Sequence, residues 1–151
     1  TVMKGYWNRP AETAEALAGG WLHTGDVATV DADGFVYILD RKKDMIITGG
    51  ENVYSVEVEN ALASHPAVAD AGVIGVPDET WGERVHAVVV LRPGRRATPE
   101  ELQAHCRTLI GGYKVPKTLE FAEALPRTPS GKIQKATLRE PYWRGQSREV
   151  S

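Results

Sequence analysis

The residue of this sequence that is best placed to do chemistry is Lys132, in the stretch PRTPSGKI. Prolines before it constrain the backbone, whereas the lysine side chain is a flexible, compact positive charge. Such a lysine suits an anionic partner, although Ser-Gly-Lys is also common turn chemistry with a solvated lysine. The stretch is not a P-loop, because position 126 is proline and Ile133 replaces Ser or Thr. Any phosphate contact would therefore come from the lysine charge itself.

A carboxylate and a guanidinium lie at the two ends of a predicted β-hairpin: Asp26 in GGWLHTGD and Arg41 in ILDRKKD. Two β-prone runs, VATV and FVYIL, surround residues 31–34, where Gly34 permits the positive φ of a hairpin turn. Antiparallel pairing would bring the two charged side chains together. They form a mutual ion pair, are two unrelated solvated charges, or both contact one ligand. A carboxylate could accept both hydroxyls of a ribose.

A third candidate is the segment Gly49-Gly50-Glu51-Asn52, which follows an apolar triplet. Two glycines allow a thin ligand to approach the backbone closely, but they are equally typical of a simple turn.

The histidines and the single cysteine predict no metal site. Four histidines lack the spacing of metal ligands, and Cys106 lies on the apolar stripe of a predicted helix. The histidines are His23, His65, His86 and His105.

The elements that must position these residues alternate between helices and strands. Helices are predicted over residues 11–18, from the N-cap Ser55 to Pro66, from the capping box at Thr98 to Gly111, and over residues 134–139. Strands are predicted over residues 67–76, 84–91 and 119–121. This order predicts a small α+β domain, and the charge shift over residues 40–52 indicates a domain boundary near Lys43.

The composition excludes several classes of function. With 151 residues, a net charge of −2, 42% hydrophobic and 25% charged residues, the chain is ordinary for a globular domain and lacks the basic field of a nucleic-acid binder. One cysteine and the lack of a long apolar run favour a reducing, cytoplasmic location without a membrane span. The opening TVMKGYWNRP lacks an initiator methionine and predicts a piece of a longer polypeptide.

Four motifs occur together in one order: GGWLHTGD, YILDRKKDMIITGGENVYSVEVE, GVPDETWGERVHAVVV and PRTPSGKIQK. In order and spacing they resemble the adenylate-forming acyl-CoA synthetases, and most closely the bacterial medium- and long-chain fatty-acyl-CoA ligases. The resemblance covers residues 3 to about 142. It implies that residues 1–42 end a large N-terminal adenylation domain, that residues 43–142 form the C-terminal lid domain, and that residues 143–151 are a flexible tail.

The lid implied by this resemblance has a short antiparallel three-stranded sheet flanked by helices, and the β-hairpin of the large domain precedes it. The resemblance implies that Lys132 is the adenylation lysine, that Asp26 and Arg41 bind the nucleotide, and that Lys43 is the hinge. Residues 49–52 (Gly49, Gly50, Glu51 and Asn52) would face CoA during thioester formation. Luciferases and 4-coumarate ligases have a second lysine where this chain has Ile47, so that contact is not assigned.

The implied reaction joins a fatty acid to CoA through acyl-AMP, with ATP and magnesium bound mainly by the upstream domain. That domain would also hold the phosphate loop and the acyl pocket, so residues 1–151 alone are predicted to be inactive. One alternative is an adenylation domain or acyl-AMP ligase that loads a carrier protein. Another is a non-catalytic interaction module, recognised for example by a lysine acetyltransferase that modifies Lys132.

Overall fold

The computed structural model describes residues 2–145. Within them lie four α-helices and seven β-strands. The helices are α1 (Pro10–Ala16), α2 (Ser55–Ala63), α3 (Pro99–Arg107) and α4 (Lys135–Trp143). The strands are β1 (Asp26–Val30), β2 (Val36–Arg41), β3 (Ile46–Thr48), β4 (Glu51–Val53), β5 (Val68–Asp78), β6 (Gly82–Leu91) and β7 (Thr118–Phe121). The chain divides into two compact units, of which the first ends at Lys42 and the second begins at Lys43.

The first unit consists of helix α1 and the antiparallel hairpin β1–β2. Pro10 opens the helix, where its missing N–H costs no hydrogen bond. The hairpin turn is organised by Asp31, whose Oδ1 accepts the backbone N–H groups of Phe35 at 2.9 Å and Asp33 at 3.0 Å. The bond from Phe35 is the main reason that the pKa of Asp31 lies below its ordinary value. Gly34, with φ +87°, completes the predicted turn.

The second unit is built on a five-stranded sheet in the order β4-β3-β6-β5. Strand β3 pairs with the start of β6 at Gly82, and β7 pairs with β6 farther along, at residues 86–89. The α+β class is therefore confirmed, but the sheet has five strands where the sequence predicted three. The additional pair, β3 and β4, comes from the residues that were interpreted as a connector. Strand β7 is parallel to β6, not antiparallel, because the chain returns through helix α3 before β7 begins.

The core of the second unit lies between the sheet and helices α2 and α3. Helix α3 begins with the predicted capping box, since Thr98 accepts the backbone N–H of Glu101 and the Glu101 carboxylate accepts the N–H of Thr98. Helix α2 differs from the prediction: Tyr54 is its N-cap, and Ser55 is its first helical residue with a buried side chain.

Helix α4 extends farther than the sequence predicted. It reaches Trp143, whose indole Nε1–H donates a hydrogen bond of 3.0 Å to the carbonyl oxygen of Gly75 on β5. Trp143 therefore belongs to the helix and not to a tail, and residues 146–151 of the predicted tail lie outside the described residues. Across residues 2–145, every helix is too short or too polar to cross a bilayer.

The buried imidazole of His86 makes the second unit sensitive to acid. His86 is 5% exposed, with Nδ1 2.7 Å from the Thr118 hydroxyl and Nε2 3.1 Å from the Tyr142 hydroxyl. Burial lowers its pKa below the ordinary value; Glu120 opposes this shift and Arg84 adds to it. The unfolded chain therefore binds the proton more readily than the folded chain. The contribution of neutral His86 to the free energy of unfolding is fully present above about pH 6.5. It is lost as the pH falls from there toward the lowered pKa of the folded state.

We therefore expect the free energy of unfolding to fall more steeply for the wild type than for His86→Gln as the pH is lowered from about 8 to about 5. Denaturant titration at each pH measures this difference. His23→Gln, which removes an exposed histidine of the first unit, is the control and should retain the wild-type slope. Equal slopes for the wild type and His86→Gln would show that His86 does not cause the acid sensitivity.

Candidate active site

Lys132 lies at the end of a tight loop of residues 127–133. Arg127 and Ile133 form an antiparallel bridge at the base of the loop. Inside it, the Thr128 N–H donates to the Lys132 carbonyl at 2.8 Å, and the Lys132 N–H donates to the Thr128 hydroxyl at 3.1 Å. Gly131 supplies the positive φ of +85° that the turn requires. The backbone of Lys132 is thus held on both sides while its side chain is exposed.

An ion pair to strand β5 anchors this loop. The Arg127 guanidinium bonds both to the carbonyl oxygen of Gly131 and to the carboxylate of Asp70 on β5. The Gln134 N–H donates to the Pro126 carbonyl at 2.8 Å, which closes the two ends of the loop. The sequence identified the lysine but not Arg127 and Asp70, which are 57 residues apart.

Asp26 and Arg41 are brought together, as the hairpin predicted. They are directly opposite in the register of β1 and β2, and Arg41 Nε lies 2.8 Å from Asp26 Oδ1. Arg41 also donates to the Thr24 carbonyl at 3.1 Å. The mutual ion pair is therefore present. The Asp26 side chain is still 26% exposed and lines a cavity of about 650 Å³ within the first unit, so it remains accessible to a ligand.

Gly49 and Gly50 form the turn of hairpin β3–β4, with φ of +58° and +84°. The Gly49 N–H donates to the Trp81 carbonyl at 2.9 Å, and a Cβ at Gly49 would lie 2.6 Å from the Trp81 ring. Glu51 and Asn52 follow on β4. The turn interpretation is correct for the backbone, and Trp81, which the sequence reasoning did not single out, would crowd a side chain at position 49 in addition to the strain of its positive φ.

A buried carboxylate supports this hairpin. Glu83 is 6% exposed, and its Oε2 accepts the backbone N–H of Ile47 on β3 at 2.9 Å. The carboxylate lies against Gly75, where an added Cβ would be 2.5 Å from it. A buried carboxylate needs such partners because its dehydration is costly. Glu83 therefore ties β3 to β6 and orients the turn that carries Gly49.

The loop of Lys132 and the turn of Gly49 are attached at opposite ends of the paired strands β5 and β6. The loop is anchored at Asp70, whereas the turn joins the sheet where Thr48 pairs with Gly82, opposite Asp78. Asp70 and Asp78 are eight residues apart in one strand, which corresponds to about 26 Å. The two candidate groups are therefore attached at opposite ends of the sheet in the second unit.

Lys43 is the first residue of the second unit and lies in the 3-10 turn Lys42–Asp44. Its carbonyl oxygen accepts a hydrogen bond of 3.2 Å from Arg139 on α4, and the same guanidinium lies 2.9 Å from the Asp44 carboxylate. The chain is thereby attached to the second unit immediately after the boundary between the units. No three carboxylate, histidine or cysteine side chains converge within residues 2–145, so we assign no magnesium ligand there.

The family model of the AMP-binding enzyme C-terminal domain matches residues 57–132. This chain belongs to the AMP-binding enzyme family. The match confirms the resemblance that the four sequence motifs indicated, and it includes both Trp81 and Lys132. The chain thus contains the C-terminal domain that is typical of this family.

Similar members of the family differ in both the acid and the acceptor that their names state. A feruloyl-CoA synthase of an Amycolatopsis species is 57% identical over 93% of this chain and 29% of its own length. A fatty acid–[acyl-carrier-protein] ligase of Streptomyces coeruleorubidus is 48% identical over 99% and 29%. The structure of an amide bond synthetase from Marinactinospora thermotolerans superposes with a TM-score of 0.84 and 46% identity, over 93% of this chain and 29% of that one. The chain thus spans less than a third of the length of these relatives.

Proposed function

We propose that this chain is the lid of an AMP-forming acid–thiol ligase and that Lys132 is its adenylation lysine. The observation that carries the proposal is an exposed ammonium group on a rigid loop, within the C-terminal domain of an adenylate-forming family. When a carboxylate attacks the α-phosphorus of ATP, the carboxylate gives up its charge to the new P–O bond, and negative charge concentrates on the phosphoryl oxygens and on the departing pyrophosphate. A positioned lysine stabilises that charge without being consumed.

In this proposal Asp26 binds the ribose hydroxyls of ATP and then of acyl-AMP. Its carboxylate has two oxygens and, although paired with Arg41, is partly exposed to the cavity. Arg41 has two proposed roles. It holds Asp26 in place, and it contributes positive charge beside the nucleotide. ATP, magnesium and CoA are the expected reactants, and the part of the protein outside this chain would supply the magnesium ligands and the acid pocket.

Lys43 is proposed to be the hinge between the two half-reactions. After acyl-AMP forms, rotation at Lys43 would withdraw Lys132 and bring residues 49–52 to the pantetheine arm of CoA. The separation of about 26 Å between the two attachment points, measured along the paired strands β5 and β6, supports this division, because the two groups lie toward opposite ends of the sheet. Reorientation of the lid then lets one domain serve adenylation and thioester formation in turn.

Gly49 provides a test of the thioester face. Gly49→Ala places a Cβ against the Trp81 ring and adds a strained positive φ. We expect thioester formation from supplied acyl-AMP to fall by about tenfold to a hundredfold, with acyl-AMP formation nearly unchanged. Gly94→Ala is the matched control, because Gly94 also has a positive φ (+73°) but no atom near the added Cβ. If acyl-AMP formation falls by the same factor, residues 49–52 do not act specifically on the thioester step.

For the acid we propose a medium- or long-chain fatty acid, and for the acceptor CoA. The carrier-protein ligase among the relatives acts on a fatty acid by its name, and the feruloyl-CoA synthase uses CoA by its name. The identity of 57% to the latter makes a hydroxycinnamic acid the second candidate. Because ATP and CoA are cytoplasmic metabolites, we place the reaction in the cytoplasm.

The direct experiment measures AMP release by the full-length protein with ATP, magnesium and a panel of acids, with and without CoA. The panel runs from short to long fatty acids and includes hydroxycinnamic acids. CoA-dependent AMP release with a fatty acid supports the proposal in full, and release with ferulic acid alone changes only the acid. Acyl-AMP that forms but is not passed to CoA would instead indicate a ligase that loads a carrier protein. A protein that releases no AMP with any acid would favour a non-catalytic module.

A further inference from the structure

A second lysine, Lys135, lies three residues after Lys132 but has the opposite environment. It is the first residue of helix α4 and is only 9% exposed. Its Nζ donates a hydrogen bond of 2.6 Å to the Ser55 hydroxyl and lies 2.8 Å from Oε1 of Glu59. Both partners belong to helix α2, and Ser55 is completely buried. The start of α4 is thus joined to α2 by a largely buried ion pair.

An ion pair of this kind contributes little net stability to a fold. A lysine and a carboxylate each lose hydration on burial, and apolar residues of similar size often stabilise a protein as well or better. What the pair supplies is a defined position, because an ammonium group needs its partners at hydrogen-bond distance. Glu59 is itself fixed, since its Oε1 accepts the Val73 N–H of strand β5 at 2.9 Å.

The position that this pair defines is that of the Lys132 loop. The loop ends at Gln134, whose N–H closes the base through Pro126, and Lys135 follows immediately. Arg127 anchors the first half of the loop to Asp70, and Lys135 anchors the chain directly after the second half to Glu59. Because the loop is held at both ends, the backbone from which the Lys132 side chain extends has a defined position.

We propose that Lys135 and Glu59 are positioning residues for adenylation: their largely buried ion pair holds the loop so that Lys132 reaches the reacting phosphate and carboxylate. Neither residue touches the reactants. The inference rests on the proposed function of Lys132. It differs from a purely structural role, which would weaken the whole lid and reduce both half-reactions alike.

The test uses Lys135→Met, which keeps the length of the side chain and removes its charge, in the full-length enzyme. We expect acyl-AMP formation to fall by about tenfold to a hundredfold, as for a displaced catalytic group, and thioester formation from supplied acyl-AMP to stay near the wild-type rate. Hydrogen exchange of the amides in residues 127–134 should become faster. Lys135→Arg, which keeps a charge for Glu59, should restore most of the adenylation rate.

Two further variants make the outcome decisive. Lys117→Met removes an exposed lysine of the same unit and should behave as the wild type. Lys132→Ala tests the proposed function separately: if it still forms acyl-AMP, the adenylation role of Lys132 is wrong. If Lys132→Ala loses acyl-AMP formation and Lys135→Met does not, the positioning role alone is overturned. Equal loss of both half-reactions in Lys135→Met, or unchanged exchange of the loop amides, would also overturn it.

Discussion

Replacing Lys132 with alanine in the full-length enzyme is expected to slow acyl-AMP formation by about a hundredfold or more, which corresponds to about 3 kcal/mol of transition-state stabilisation. The ammonium group would neutralise charge that develops only as the carboxylate attacks phosphorus, so its loss acts on the rate more than on binding. Thioester formation from supplied acyl-AMP should be nearly unaffected, because Lys132 and residues 49–52 are attached at opposite ends of the paired strands β5 and β6.

The measurement is pyrophosphate exchange into ATP for the first half-reaction and CoA consumption with supplied acyl-AMP for the second. Ser130→Ala is a control within the same loop, where it removes only a hydroxyl that contacts the Thr128 hydroxyl at 2.8 Å. This variant should keep both rates. An equal decrease of both rates in Lys132→Ala would contradict the assignment of the two groups to separate half-reactions.

Lys43→Pro is expected to affect one half-reaction selectively, by about tenfold or more, because proline restricts φ to about −65° and prevents one of two lid orientations. Lys43 is the first residue of the second unit, where a change of backbone dihedral has the largest leverage on the lid. Lys43→Ala separates this effect from loss of the side-chain charge, since it leaves φ free. The two half-reactions, assayed as for Lys132, show which orientation has been lost.

Unchanged rates in Lys43→Pro would move the hinge to another residue. Loss of both half-reactions, together with a lower free energy of unfolding, would indicate damage to the second unit instead. That outcome can be recognised because the Lys43 carbonyl accepts a hydrogen bond from Arg139, and Arg139→Lys should then reproduce the loss of stability. The hinge proposal requires selectivity for one half-reaction with normal stability.

The second unit therefore contains two kinds of charged residue. Exposed groups, such as Lys132, are proposed to meet the reactants, and buried charged groups set the position of the backbone that presents them. Glu83 holds β3 beneath the turn of Gly49, and the pair of Lys135 and Glu59 holds the end of the Lys132 loop. Dehydrated charged groups of this kind restrict their neighbours more strictly than apolar packing does, because their hydrogen-bond partners must be within about 3 Å.

The sequence alone was sufficient for features that depend on neighbouring residues. The hairpin ending at Asp26 and Arg41 follows from two β-prone runs and Gly34, and helix α3 follows from its capping box at Thr98. The loop that presents Lys132 follows from its prolines and Gly131. In each case the interacting groups are close in the chain, so residue type and spacing contain the information. The family motifs are of the same kind, and the comparison with known enzymes confirmed them.

Only the tertiary structure revealed the contacts between distant residues. Lys135 and Ser55 are 80 residues apart, and no local pattern distinguishes the buried Lys135 from the exposed Lys132 in the same motif. The pairing of β3 with β6 and the parallel addition of β7 likewise depend on which strands meet once the core has formed. Burial and the choice of partner are properties of the packed fold. They determine which charged groups are free to act on a ligand and which hold the others in place.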